Sequence, residues 1–223
     1  MQSLKLLKRN LRKSTLKKLS EISNEAISLQ SSLARAVKEE ICASDIYKRS
    51  TRISLYLSMQ SSELSTDDLA RQIIDDGKKL FVPFIHTNEV PTMSMLNIPT
   101  VEQLQALKRN KWGIPEPDAA DVDKYQDALA LSSESPGLDL ILVPAVAYDK
   151  SFNRLGHGMG YYDRFIKAAT THAEGYALHP PTIVGLALQE QIQTQDSVPT
   201  GPLDEVMDAI ATSDGITWNK QPE

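Results

Sequence analysis

With a single cysteine, Cys42, the 223-residue chain has no intrachain disulfide and no cysteine cluster for zinc, and its four histidines lack the close pairing of metal ligands. Cys42 falls in a helical pattern and reads as a small packing residue in a protein of a reducing compartment. No apolar run approaches the length of a membrane span, and 41% hydrophobic with 24% charged residues describes a soluble globular protein. The first residues alternate leucine with lysine and lack the continuous apolar core of a signal peptide. Acid is missing there too. Residues 1–20 carry seven of the 24 Lys and Arg and no Asp or Glu, so the net charge of −5 hides a basic start on a strongly acidic body. Such a body argues against nucleic-acid binding and leaves the first helix as a local positive field.

Two nucleotide signatures are also missing, the G-x-G-x-x-G turn of dinucleotide-binding folds and the P-loop G-x-x-x-x-G-K-[ST]. In their place stands Asn153-Arg154-Leu155-Gly156-His157-Gly158-Met159-Gly160-Tyr161-Tyr162-Asp163. Three glycines at two-residue spacing free the backbone for positive φ and let a ligand lie on its N–H groups. A helix beginning near Tyr161 aims its unpaired N–H groups and positive dipole end at the same point, and Arg154 adds a cation whose fork fits phosphate oxygens. The bland alternative is a glycine-rich turn joining strand to helix, and the flanking arginine weighs against it.

In chain order, residues 4–19 predict a helix with Leu4, Leu7 and Leu11 on one face and Lys5, Lys8, Arg9 and Arg12 on the adjoining one. Lys8 and Arg12 stand one turn apart and can close on one anion. A solvated basic face is the commoner fate of such a run, and an acid-poor mitochondrial presequence is a third reading. A structural helix follows over 24–41. Residues 52–59 alternate as a strand that puts Ile53, Leu55, Leu57 and Met59 on one face. The polar run 60–65 comes after that strand's carboxyl end, where open α/β sheets place ligand contacts, and contains Glu63. A helix over 66–76 stops at Gly77, and strands are predicted at 79–85, where Pro83 bars a central place in the ladder, and at 92–98. Thr100 with Gln103 opens a helix to about 108. The loop 110–117 carries Trp112, which either staples the loop or stacks on a flat ligand.

Residues 138–143 form a continuous apolar strand of the kind covered on both faces. A helix at 161–171, a strand at 182–188 and short edge strands at 205–207 and 215–218 complete the alternation. It implies a single-domain, three-layer α/β/α fold with a largely parallel central sheet, Rossmann-like but without the dinucleotide fingerprint.

At this point the chain resembles the 5-formyltetrahydrofolate cyclo-ligases, also called methenyltetrahydrofolate synthetases, which carry a late segment of the form R-L-G-x-G-x-G-Y-Y-D. Further pieces in the family's order are Lys8-Arg9-Asn10-Leu11-Arg12, Leu57-Ser58-Met59-Gln60 with Glu63 beyond, Trp112-Gly113-Ile114-Pro115-Glu116-Pro117 and Leu138-Asp139-Leu140-Ile141. The resemblance implies magnesium-requiring, ATP-dependent cyclisation of 5-formyltetrahydrofolate, polyglutamylated or not, by a cytoplasmic monomer with no nucleic-acid or membrane partner. It implies that Lys8, Arg9, Asn10, Leu11 and Arg12 meet ATP from the first helix. Asn153, Arg154, Leu155, Gly156, His157, Gly158, Met159, Gly160 and Tyr161 would wrap the nucleotide. Gly156 to Gly160 would lie where phosphate meets folate, Leu57 and Glu63 on the pterin side, and Trp112 and Tyr162 as flat contacts. Arg154 and Arg12 would be catalytic and Asp163 the magnesium ligand.

The chain departs from the pattern in two places. His157 and Met159 stand where the family often carries basic, tyrosine or glycine residues, and the acidic segment near the end is shortened, with Asp204 or Asp196 as stand-ins for a second metal ligand. The competing readings are a folate-binding protein that has lost activity and a sugar-phosphate isomerase or transferase on a similar sheet.

Overall fold

The computed structural model describes residues 3–23, 27–59, 63–87, 92–130 and 136–220. The first half runs α1 (Leu4–Ser23), α2 (Ile27–Ala43), α3 (Asp45–Arg49), β1 (Arg52–Leu55), α4 (Asp67–Asp75), β2 (Lys79–His86), β3 (Thr92–Ile98) and α5 (Val101–Ala106). The small pair β4 (Lys108–Arg109) and β5 (Pro115–Glu116) leads to β6 (Leu140–Val143), β7 (Ala147–Asp149), β8 (Arg154–Leu155) and α6 (Tyr161–Gly175). Then come β9 (Thr182–Leu186), β10 (Ile192–Gln193), β11 (Ala209–Thr212) and β12 (Gly215–Trp218).

Seven strands form the main sheet in the order β12-β11-β9-β6-β1-β2-β3. The five from β11 to β2 are parallel, and the two edges β12 and β3 are antiparallel. The apolar run at 138–143 explains the middle of this arrangement. All four residues of β6 are buried, Leu140 and Leu142 toward the layer holding Val37, Ile41, Ile46 and Ile73, and Ile141 and Val143 toward Phe165, Ile166 and Ala169 of α6. A strand covered by helices on both faces needs apolar residues at every position. Helices α2, α3 and α4 thus make one outer layer and α6 the other. Pro83 pairs only with β3, because β2's register with β1 has ended at Phe81.

Several boundaries differ from the expectation. The strand at 52–59 stops at Leu55, since the Tyr56 carbonyl accepts from the Thr66 hydroxyl at 2.7 Å and leaves the ladder. With that hydroxyl engaged, Thr66 starts α4 without a side-chain cap. The strand at 182–188 ends at Leu186, and 205–207 adopts no strand; the edge of the sheet is made by β11 with β12. Residues 60–62 of the polar run at 60–65, and the helix start at 24–26, lie outside the described residues. Helix α6 begins at Tyr161 as expected and runs on to Gly175.

Candidate active site

Strand β1 has β2 on one side and β6 on the other, so the chain changes direction across the sheet at its carboxyl end, the place where open α/β folds bind ligands. A cavity of about 740 Å³ opens there, lined from β1's end by Tyr56, Leu57, Met59 and Glu63, and from the β2–β3 hairpin by Pro83, Ile85 and Met93. Its far wall is the glycine loop, and α1 crosses its mouth with Leu4, Lys5, Lys8 and Arg12.

The loop is built from below. The residues between β6 and the first glycine do not form a loose connection but the small sheet β10-β7-β8. Asp149, fully buried, holds its turn by accepting from the Ser151 and Asn153 amides at 2.9 and 3.1 Å, the Asn153 side chain at 3.1 Å and the Val198 amide at 2.9 Å. Neighbouring Leu155 packs with Ala147, Val198 and Leu11 of α1, which fixes the helix against the loop's base. Gly158 and Gly160 have φ of 107° and 66°, and Gly160 is the N-cap of α6, so a left-handed residue turns the chain into the helix where the sequence puts its third glycine.

Two arginines are folded under this loop. Arg12 donates from Nε to the Gly156 carbonyl at 2.7 Å, and a Cβ on Gly158 would lie 3.3 Å from its guanidinium carbon. Arg154 is buried, donates from Nη2 to Asp163 Oδ1 at 2.7 Å, and would be 2.8 Å from a Cβ on Gly156. Lys8 reaches both oxygens of Asp204 at 2.6 and 2.5 Å. Partial burial lowers the Arg12 pKa against the opposing pull of Asp204, and the group stays cationic at neutral pH. His157 is exposed as a residue, yet desolvation of its crowded ring, then Arg12, then Arg154 push its pKa below the ordinary imidazole range. Glu63 accepts from the Met59 amide at 3.0 Å, and burial raises its carboxyl pKa more than that hydrogen bond lowers it.

Of the residues expected here, the cavity brings together Lys8, Arg12, Leu57, Glu63, Trp112, Arg154 and every residue from Leu155 to Asp163. It does not bring Arg9, Asn10, Leu11 or Asn153 to its wall. At 3.6 residues per turn, positions 9 and 10 point to solvent when 8 and 12 face inward, and Leu11 is spent on packing. Asn153 is tied to Asp149. Trp112 is 61% exposed, with the Lys111 ammonium 4.3 Å from its ring centroid, so it covers the mouth instead of stapling the loop.

Asp196 lies off the cavity, accepting from the Ser151 hydroxyl, whereas Asp204 lines it. Among the described residues no group of three His, Cys, Asp or Glu could hold a metal. Magnesium, which usually takes one or two carboxylates and completes its shell with phosphate oxygens and water, does not need one. Asp163 suits it: Oδ1 accepts from Arg154 and from the Glu205 amide at 3.2 Å, while Oδ2 has no hydrogen bond among the described residues. That amide also puts Asp163 beside the segment carrying Asp204. Sequence reading missed Asp149 as the loop's anchor, although Asp-x-Ser is an Asx-turn signal, and it missed the hairpin wall, for which no local signal exists.

A cavity at the sheet's crossover, with a glycine loop, partly or fully buried cations and one desolvated carboxylate around it, is the site of an α/β enzyme and is suited to an anion beside a polar group. The chain belongs to the 5-formyltetrahydrofolate cyclo-ligase family, whose model matches residues 5–213. It is similar to the 5-formyltetrahydrofolate cyclo-ligase of Mus musculus, 33% identical over 93% of this chain and 94% of that one. It is 34% identical to a probable 5-formyltetrahydrofolate cyclo-ligase of Caenorhabditis elegans over 94% of both chains. Its fold matches the solved 5,10-methenyltetrahydrofolate synthetase of Aquifex aeolicus with a TM-score of 0.73 at 24% identity, covering 97% of this chain and 95% of that one.

Proposed function

We propose that the chain catalyses the ATP-dependent closure of 5-formyltetrahydrofolate to 5,10-methenyltetrahydrofolate, with release of ADP and phosphate. The observation that carries this reading is the meeting of Lys8, Arg12 and the glycine loop with Glu63 in one cavity. A formamide oxygen is a poor leaving group and needs activation. Its lone pair takes the γ-phosphoryl group as the bond to the β–γ bridging oxygen breaks, and ADP leaves. The N10 lone pair then attacks the formyl carbon, N10 loses its proton to solvent or phosphate, and the C–O bond breaks to expel phosphate. The charge on N5 is thereby shared with N10 in the methenyl product.

Positioning and charge neutralisation are what this chemistry asks of a protein. Lys8 and Arg12 draw the phosphates down onto the amides of Gly156 to Gly160, while Arg154 stays beneath the loop as a fixed positive charge near the transferring group. Asp163, with Asp204 beside it, would hold magnesium, which neutralises charge on the phosphate oxygens. Glu63 accepts hydrogen bonds from the ring's amino and N–H groups, and Leu57, Tyr162 and Trp112 bound the flat rings. Because Lys8 and Arg12 are part of the cavity, removing α1 as a presequence would destroy the site, which favours a cytoplasmic enzyme with its N-terminus retained. The enzyme is read as a monomer, as the family resemblance implies. Purified protein given 5-formyltetrahydrofolate, ATP and Mg²⁺ should develop the near-ultraviolet absorbance of the methenyl product. No ATP-dependent rise would overturn the reading in favour of a folate binder, and no binding of either compound would leave only the fold.

A further inference from the structure

The cations assigned above to the nucleotide all have protein partners already. Lys8 is held by both oxygens of Asp204, Arg154 by Asp163, and Arg12 by the Gly156 carbonyl. The loop opposite adds no fixed charge, since His157 and Met159 separate its glycines. Lys5 differs from them. It lines the same cavity, is exposed, and forms no ion pair among the described residues.

Its position is electrostatically odd. Lys5 lies in the first turn of α1, which carries no acid, so its charge adds to the positive helix end instead of balancing it. Breaking a local rule without relief inside the protein is a mark of a functional position. Lys5, Lys8 and Arg12 follow an i, i+3, i+7 pattern, which puts them on one face at axial steps of about 4.5 and 6 Å. Arg12, at one end of the row, is fixed to the glycine loop. Lys5, at the other, stands at the cavity mouth beside Leu4, 41% exposed, with Met159, 60% exposed, also on the cavity lining. Apolar groups open to solvent on both walls suit a planar base, and a row of cations leading inward from them suits the phosphates attached to it.

We propose that Lys5 is a nucleotide-binding residue, the outermost of a row of three cations that follows the triphosphate, meeting the α-phosphate while Arg12 meets the terminal one at the loop. This rests on the ATP reading above. The other cations already share their charge with a carboxylate or carbonyl of the protein, whereas Lys5 gives up only water to meet phosphate.

Calorimetric titration of the full chain with Mg·ATP, and separately with 5-formyltetrahydrofolate, tests the assignment. Lys5→Ala should weaken Mg·ATP about 3- to 10-fold, the scale of one charge-assisted contact at a wet site. Mg·ADP, which keeps the α-phosphate, should lose the same factor. Affinity for 5-formyltetrahydrofolate should hold, and Lys5→Arg should restore nucleotide binding. In turnover the KM for ATP should rise by that factor with kcat retained. Unchanged Mg·ATP affinity in Lys5→Ala would overturn the proposal, and so would a loss confined to 5-formyltetrahydrofolate, which would assign the ammonium to the folate's carboxylates. Failure of the unaltered protein to bind Mg·ATP would instead overturn the nucleotide reading on which the proposal rests.

Discussion

Glu63→Gln should move folding stability and ligand affinity in opposite directions, which separates a carboxylate kept for binding from one kept for structure. Burial holds the Glu63 pKa above its usual value, and among the described residues its one hydrogen bond is from the Met59 amide. A folded-state pKa above the unfolded one means that, between the two, the folded protein binds the proton more readily than the unfolded chain does. Stability therefore falls as pH rises through that window, and at neutral pH the ionised group is a net cost. Glutamine keeps the shape and the acceptor for Met59 but carries no charge. Thermal unfolding at pH 7.5 should rise by about 2–4 °C, the shift that about 1 kcal/mol produces in a domain of this size. At pH 5 the gain should shrink as Glu63 takes up its proton. Binding of 5-formyltetrahydrofolate should weaken about 10- to 100-fold, since hydrogen bonds from ring N–H groups to an ion are exchanged for weaker ones to an amide. Calorimetry for affinity and circular dichroism for unfolding, at both pH values, make the comparison. A variant that is less stable at pH 7.5, or that binds the folate as well as the parent, would refute the role given to this carboxylate.

Arg154→Ala should lower turnover by about 10²- to 10³-fold, the scale for one group lost at developing charge, and also destabilise the fold by about 3 kcal/mol because Asp163 loses its buried partner. Adding Asp163→Asn should recover stability in denaturant titrations but not turnover; recovery of both would make Arg154 purely structural. Gly158→Ala places a Cβ 3.3 Å from the Arg12 guanidinium on a backbone at φ 107°, and should cost about 1–3 kcal/mol and raise the KM for ATP. Gly175→Ala, with open space around its Cβ, should leave that KM unchanged, and equal effects in steady-state kinetics would dismiss the loop argument. His157→Arg supplies a fixed cation where the depressed pKa keeps the imidazole neutral, so Mg·ATP should bind about 3- to 10-fold tighter at pH 7.5. The advantage should narrow in acid as His157 gains its own charge, and a pH-independent difference in titrations would contradict it.

Long-period features of the fold were open to sequence reading. The apolar run through Leu140 to Val143, bounded by Gly137 and Pro144, has the pattern typical of a strand covered twice, and Gly160 before Tyr161 marks both the left-handed cap and the helix behind it. Edges were harder. Nothing local says that the Tyr56 carbonyl will be taken by Thr66 and end β1 early, because the partner is ten residues away and the hydroxyl had an equally good use as a helix cap. The strand expected at 205–207 failed for a related reason. Its segment is occupied by the site: Asp204 faces Lys8 and the Glu205 amide faces Asp163.

In the site itself, the types of residue could be read but their partnerships could not. Arg154 and Asp163 stand nine positions apart in one motif, and the chemistry of each suggested a separate ligand, phosphate for one and metal for the other. Folding makes them a pair first. The same holds across the length of the chain for Lys8 and Asp204, and most tightly for Arg12, whose guanidinium lies close enough beneath Gly158 that a side chain there would press on it. A glycine that looked necessary for the approach of a phosphate is therefore also necessary for the approach of the arginine from α1. These two demands are independent and fall on one position. The backbone at 158 is fixed by the protein itself, so on the reading proposed above the loop's amides would need little rearrangement to receive a phosphate, and preorganised donors are the main electrostatic resource of such a site. Periodicity marks α1 as amphipathic and spacing marks the loop as a candidate anion site. Only the Arg12–Gly156 hydrogen bond, joining residues 144 positions apart, makes them one device.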